Sequence, residues 1–498
     1  MILSLALAVP FLVYGAISPQ SLQAVSQATV DWLTARFDWF YLLAIFGFLV
    51  FCAYLAISRH GEVRLGKADE RPEFSTVSWL AMLFSAGMGS GLLFWGMAEP
   101  VSHYLKPPGL AGGTPEAAGK AFEITFFHWG IHAWAVYGVV ALALAWSQFR
   151  HGRPALISSA FYPLLKERVH GPIGVAIDTL AVLATFFGVA ATLGMSTLQV
   201  NSGLHQLVGM PVNAGMQMAI IAFFTVLYLL SATTGLQKGI RLLSNTNMVL
   251  AVVLLAVITV IGPTAEIFRA FTDGMGRYFQ DFFKLSLGQF PFSDRSWLHS
   301  WTLVYWPWWI AWAPFVGTFI ARISRGRTIR EFVAAVLLVP SIFSFFWFAA
   351  FGTTGIGLVR GGLDLASAIQ ADVSSALFVA FAHMPLGLLL SALAMGLMSV
   401  FFVTSADSAV YVLSMLTSRG QLHPPMWMRI MWGLVQSGIG ATLLLMGGIQ
   451  AVQIVTIIAA FPFTILMVGL CAALWKGLLL DEAQPVETAA TPHAQEAA

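Results

Sequence analysis

The chain has 498 residues, of which 58% are hydrophobic and 10% charged, and its formal net charge is +2. That balance excludes an ordinary soluble domain and offers no basic surface for nucleic acid; it points to a protein that crosses a lipid bilayer many times. Cys52 and Cys471 both fall inside apolar runs, so no structural disulfide is expected.

About twelve runs reach the ~20 apolar residues that a hydrocarbon core requires. They lie near residues 1–17, 38–57, 76–98, 118–147, 172–204, 211–232, 244–262, 299–322, 329–351, 383–416, 426–447 and 450–476. The opening MILSLALAVPFLVYGAIS has no basic residue before Arg36, so it reads as a first transmembrane span and not as a signal peptide. With the N-terminus inside, the inner loops collect Arg59, Arg64, Lys67, Arg71, Arg150, Arg153, Arg322, Arg325, Arg327 and Arg330 among others. The outer segments hold far fewer basic residues. This asymmetry predicts that both termini face the cytoplasm.

Residues 1–75 carry two N-terminal spans. Two blocks of about five spans each follow, 76–262 and 299–479, as an inverted-repeat transporter would need. Between them, in 263–298, Glu266, Arg269, Asp273, Arg277, Asp281 and Lys284 recur every three or four residues among aromatic side chains, which predicts an amphipathic helix at the outer interface. Each block is expected to open with an interrupted helix, the first at Gly87, Gly89 and Gly91, the second at Pro307, Pro314 and Gly317. Residues 480–498 are short of apolar side chains and read as a disordered tail.

SAGMGSGLLFWG has two readings. Spaced glycines in a membrane helix usually serve close helix packing. Three alternating glycines also weaken the helix, and an unwound segment would turn backbone N–H groups toward an anion and carbonyls toward a cation.

Within FFHWGIHAWAVYG, Trp129, Trp134 and Tyr137 lie on a broad arc; alone they would be core aromatics. His128 and His132, one turn apart, read as satisfied polar residues, with proton coupling as the alternative. The most informative stretch is WTLVYWPWWIAWAPFVGTFIARISRGRTIR. Tyr305, Trp308, Trp309 and Trp312 fall at i, i+3, i+4 and i+7 and share one helix face, while Trp306 points away. Interfacial tryptophan is the commoner role in membranes, but belt residues sit at helix ends, whereas these run into the body of the helix. A neutral indole wall suits a cation with no N–H to donate, a quaternary ammonium group. In FFVTSADSAVYV, Thr404, Ser405, Asp407 and Ser408 interrupt an apolar helix, and the hydroxyls of Thr404 and Ser405 with backbone carbonyls would make an all-oxygen site for sodium. No metal-ligand cluster is visible in the spacing, nor any nucleophile–base pair that would mark an enzyme.

Taken together, GMGSG, HWGIHAW, WPWWIAW followed by ARISRGRTIREF, and TSADS resemble the betaine/choline/carnitine transporter family over almost the whole length. The resemblance implies an all-α polytopic fold with a LeuT-like core of two inverted five-helix repeats, two extra N-terminal helices, and a homotrimer in the cell inner (cytoplasmic) membrane. It implies an aromatic box of Trp129, Trp134, Tyr137 and Trp309, with Trp308 and Trp312 along the pathway and the substrate carboxylate facing Gly89 to Gly91. One sodium site would use carbonyls of Ser85, Met88 and Phe401 and hydroxyls of Thr404 and Ser405. A second site would keep Thr185 but finds Val189 where another hydroxyl is expected.

Proton-coupled choline members carry an acid where Gly91 stands, and sodium-independent carnitine exchangers carry an arginine where Met248 stands. Both departures imply sodium-coupled uptake of a betaine-like zwitterion. Carnitine exchange, proton-coupled choline uptake and dimethylsulfoniopropionate uptake are the alternatives. The short acidic tail implies weak osmotic activation by the family's basic-tail route.

Overall fold

A computed structural model describes residues 1–87, 89–234 and 237–483, without the side chains of 84–87, 234 and 237–245. Helices of eight residues or more are α1 (Ile2–Ile17), α2 (Pro19–Ile57), α3 (Thr76–Gly87), α4 (Ser90–Leu105), α5 (Pro115–Trp129), α6 (Ile131–Ala145), α7 (Pro172–Val208), α8 (Ala214–Thr234), α9 (Gln237–Ile261), α10 (Thr264–Gln280), α11 (Thr302–Ile323), α12 (Ile329–Arg360), α13 (Gly387–Thr417), α14 (Met426–Gly447) and α15 (Ile449–Ala483). Among the described residues the β structure is one isolated antiparallel bridge, Arg64 to Thr328. The protein is an all-α polytopic membrane protein.

Eight of the described helical stretches are long and apolar enough to span a bilayer alone. The other expected spans miss that measure for separate reasons. α1 has only 16 residues, and the run at 76–98 is divided between α3 and α4. The apolar part of α9 from Thr246 qualifies together with α10, which follows it at an angle of 111°. α11 is rich in indole, which lowers its hydropathy without making it polar. In the other direction, α2 starts at Pro19 and runs for 39 residues, about 58 Å at the rise of an α-helix, well beyond the expected start near residue 38.

α10 is the expected amphipathic helix. Ile267, Gly274 and Tyr278 are buried while Phe268 and Phe279 are exposed, and it packs against α5 and α12. Arg277 pairs with Asp273 and with Glu116 at the start of α5.

The first expected interruption is present: α3 ends at Gly87 and α4 begins at Ser90. The second is not. α11 continues through Pro307 and Pro314. Each proline removes one backbone donor and crowds the preceding turn, but packing against α6, α7 and α15 holds the helix on course. The last part of ARISRGRTIREF forms a latch. Leu65 N–H donates to Arg327 O, and Gly326 N–H donates to Leu65 O. The Arg327 guanidinium lies over the Trp79 ring at 4.6 Å and donates to Phe74 O at 2.8 Å. Gly326 has φ +80 with Arg71 O only 2.4 Å from where a Cβ would stand, so another residue there would strain the turn. Thr328 and Glu331 then close a capping box on α12. The expected disordered tail is corrected at its start, because α15 continues to Ala483 and Asp481 accepts from Arg150 Nε at 2.6 Å; the rest of that expectation lies outside the described residues.

Candidate functional site

Where α3 and α4 part, the chain opens a cavity lined by Gly89, Ser90, Gly91, Leu92, Trp129, Tyr137, Thr192, Trp308, Trp309 and Trp312. Three segments supply the aromatic wall. α5 ends at Trp129 because the chain breaks at Gly130, where a Cβ would lie 2.5 Å from Phe126 O and 2.8 Å from the Phe345 ring. α6 then presents Tyr137, and α11 presents the indoles from its shared face. Trp129 and Trp309 meet edge to face with centroids 5.3 Å apart, Trp129 and Trp308 at 5.9 Å, and Tyr137 and Trp309 at 5.3 Å.

The indole nitrogens decide what this wall can do. Trp129 Nε1 donates to Glu99 Oε2 at 2.7 Å, Trp308 Nε1 to Thr192 Oγ1 at 3.3 Å, Trp309 Nε1 to His128 O at 3.1 Å and Trp312 Nε1 to Gly188 O at 2.9 Å. Every indole donor lining the cavity is spent on protein. What it offers a ligand is π surface, which attracts a cation without asking it for a hydrogen bond.

The other wall is the start of α4. Gly89 is its N-cap and supplies no side-chain bond, so the first N–H groups carry the partial positive charge of a helix N-terminus. Gly91 cannot hold a side chain: a Cβ would lie 2.6 Å from Trp308 Cη2 and 3.0 Å from Trp129 Cη2. At Gly89 no described residue stands within 4 Å of that position.

Residues 1–483 match the family described as BCCT, betaine/carnitine/choline family transporter. The chain belongs to that family. It is 48% identical to the glycine betaine transporter OpuD of Bacillus subtilis (strain 168) over 93% of this chain and 91% of that one. It is 43% identical to a probable glycine betaine transporter of Desulfitobacterium hafniense (strain Y51), over 96% and 97%. It is 42% identical to an ectoine/hydroxyectoine transporter of Virgibacillus pantothenticus, over 94% of each. The protein is thus a multi-pass membrane transporter and not an enzyme.

Of the residues expected at the substrate site of this BCCT transporter, Gly89, Gly91, Trp129, Tyr137, Trp308, Trp309 and Trp312 share one cavity. Trp134 does not line it. It stands behind, 5.6 Å from Tyr137 and 6.5 Å from Trp309. Trp306 points away, against Phe127 at 4.9 Å. Ser90, Leu92 and Thr192 also line the cavity but escaped the sequence reading, since their side chains carry no distinctive pattern.

Glu99 escaped it too, and it is the most connected residue here. Fully buried, its Oε2 accepts from Trp129 Nε1 at 2.7 Å and from the Tyr305 hydroxyl at 2.5 Å, while Oε1 lies 2.7 Å from His128 Nδ1. His128 Nε2 is 3.0 Å from Thr302 Oγ1. His132 is bonded at both nitrogens, to Tyr278 and Ser286. Both histidines are satisfied, as the sequence suggested.

The absence of a metal-ligand cluster needs correction. Folding brings Glu99, His103 and His128 together, one ligand atom from each within 4.8 Å of the others. Glu99 and His103 stand at i and i+4, so they share a helix face. That spacing was visible in AEPVSH; His128 joins only through the packing of α5 on α4.

Of the expected sodium ligands, Thr404 donates its hydroxyl proton to Val400 O at 2.8 Å, which leaves oxygen lone pairs for a cation. Ser405 is half-buried beside it and Phe401 is buried. The expectation at Met88 lies outside the described residues; Ser85, expected to contribute its carbonyl, belongs to the last turns of α3. Thr185 is buried with no partner for its hydroxyl, and Val189 is buried as well.

Proposed function

We propose that this transporter imports glycine betaine, or a closely similar quaternary-ammonium zwitterion, together with sodium. The observation that carries the reading is the spent set of indole donors around the cavity. A trimethylammonium group needs no acceptor, so it loses little on leaving water for that wall and gains cation–π attraction. The carboxylate faces the N–H groups at the start of α4, across the cavity from the rings. Trp134 supports Tyr137 and Trp309 from behind.

Sodium is held by Thr404 and Ser405 with carbonyls of Phe401, Ser85 and Met88, and it ties the interrupted first helix to α13. Binding of the two solutes is then coupled, because each favours the arrangement that the other needs. The core comprises two inverted repeats, 76–262 and 299–479. The assembly is a homotrimer in the inner membrane with both termini in the cytoplasm.

The test is uptake of labelled glycine betaine into liposomes carrying the purified protein, with and without an inward sodium gradient, at fixed membrane potential. Accumulation that requires the gradient supports the proposal. Sodium-indifferent uptake accelerated by internal substrate would replace symport with exchange. Accumulation driven by a proton gradient alone would replace sodium with protons.

A further inference from the structure

Glu99, His103 and His128 form the one group of three His, Cys, Asp or Glu side chains among the described residues whose ligand atoms lie close enough to share an ion. Glu99 Oε1 is 2.7 Å from His128 Nδ1 and 3.5 Å from His103 Nε2. Bonds of 2.0–2.1 Å to a tetrahedral zinc ion put ligand atoms roughly 3.3 Å apart, so small side-chain movements suffice.

Two further features point to an ion and not merely to a crowded core. The first is His103 itself. It is fully buried, and neither ring nitrogen has a hydrogen-bond partner, an arrangement that calls for a missing partner. The 3.5 Å approach to Glu99 is too poor a geometry to satisfy it.

The second is the outer support. The Glu99 oxygen turned away from the group accepts from Trp129 and Tyr305, and the outer nitrogen of His128 meets Thr302 Oγ1. Metal ligands are normally oriented by such contacts on their far atoms.

We propose that Glu99 Oε1, His103 Nε2 and His128 Nδ1 form a binding site for a divalent transition metal of the zinc class. Two imidazoles and one carboxylate suit that borderline ion. Protons balance within His128. Without metal, Nδ1–H donates to Glu99 and Nε2 accepts from the Thr302 hydroxyl. With metal, the Nδ1 lone pair binds the ion, the imidazole proton resides on Nε2, and Nε2–H donates to Thr302 Oγ1. His103 lies in the last turn of α4, so the ion enters from the end of the helix that leads into the Lys106–Thr114 connection.

The site has a consequence for transport that rests on the quaternary-ammonium reading above. Glu99 is bonded to the Trp129 indole, so a bound dication changes the charge directly behind the cage from −1 to +1. Zinc therefore weakens binding of a cationic head group.

The experiment is equilibrium dialysis of the purified full-length protein, affinity tag removed, against Zn²⁺, with His103→Gln alongside. Wild type binds one zinc per chain at low micromolar concentration, and His103→Gln binds it about 100-fold more weakly. Cobalt in wild type gives the strong visible bands of a low-coordinate N/O site, a readout that needs no variant. No zinc binding by wild type, equal binding by His103→Gln, or octahedral cobalt bands only would overturn the site.

Betaine titrations followed by tryptophan fluorescence test the coupling. Zinc should lower betaine affinity at least about tenfold in wild type and leave His103→Gln, which binds betaine normally, unaffected. Zinc bound with unchanged betaine affinity would overturn the coupling. Zinc bound by a protein that never binds betaine would leave the metal site standing and reject the transport proposal instead.

Discussion

The indole N–H of Trp129 donates to Oε2 of Glu99 at 2.7 Å, and this bond fixes which surface of the indole meets the cavity. The same oxygen takes the Tyr305 hydroxyl, so one buried carboxylate positions ring systems from α5 and α11. Replacing Glu99 by Ala would strand donors on Trp129, Tyr305 and His128, at about 1–3 kcal/mol each. Glu99→Ala is expected to lower the melting temperature and abolish detectable betaine binding. Glu99→Gln keeps two acceptor lone pairs but turns an NH₂ toward a donor, so it should fold better and still bind more weakly than wild type. Thermal unfolding combined with betaine calorimetry checks both, and wild-type affinity in Glu99→Ala would remove Glu99 from the cage.

Gly89 and Gly91 are expected to respond differently to the same change. A methyl group at Gly91 enters space already taken by the ends of Trp308 and Trp129, whereas at Gly89 it meets no described residue within 4 Å. Gly91→Ala must displace two indoles of the cage and should weaken betaine binding by about fivefold or more, for an overpacking cost of about 1–3 kcal/mol. Gly89→Ala should stay within a few-fold of wild type. Equal losses in the two variants, measured by calorimetry, would mean that both act through helix unwinding and not through ring contact.

The wall itself predicts selectivity among amines. Trp309→Ala removes the indole that touches Trp129, Tyr137 and Trp308 and should weaken glycine betaine by about 2 kcal/mol, roughly 30-fold. Trp309→Phe keeps a π face and should lose much less. Glycine, whose ammonium N–H donors must give up water acceptors that a wall of π faces does not replace, should not compete with labelled betaine. Effective competition by glycine would show that an acceptor, not a neutral π wall, recognises the head group.

Much of this site was legible in the sequence because helical periodicity is a strong local rule. Tyr305, Trp308, Trp309 and Trp312 had to share a face once the stretch was read as helix, and alternating glycines marked the break before α4. The missed features are those that local rules do not reach. Pro307 and Pro314 looked like interruptions, yet tertiary packing keeps α11 continuous. Trp134 shares the sequence context of Trp129, but the turn at Gly130 sends it behind the cavity. Glu99 attracts no attention as a lone acid near the end of an apolar run; its meaning comes from partners at 128, 129 and 305, which only the packing of α4, α5 and α11 assembles.

Thr404 spends its proton on Val400 O, so its oxygen is arranged as an acceptor. The double substitution Thr404→Ala with Ser405→Ala should leave the fold intact, since Thr404 spends its proton within its own helix and, among the described residues, Ser405 makes no side-chain bond to another helix. Uptake of betaine should lose its dependence on sodium or fall to background. Sodium titration of uptake in liposomes decides the point, and an unchanged sodium response would reject these ligands.

Thr185 tests how many sodium ions are involved. Threonines in membrane helices usually return their hydroxyl proton to the carbonyl one turn back, as Thr197 does to Leu193 O at 2.8 Å on the same helix. The Thr185 hydroxyl is buried and makes no such bond. An ion there would compensate, but Val189, one turn further on, contributes no second oxygen. A buried hydroxyl without a partner is instead a net cost, and replacing it with a methyl group recovers about 1 kcal/mol. Thr185→Val is therefore expected to raise the melting temperature and to leave the Hill coefficient for sodium-driven uptake unchanged, as for a transporter that uses one sodium. A fall in the Hill coefficient or in sodium affinity would restore the second ion and assign Thr185 to it.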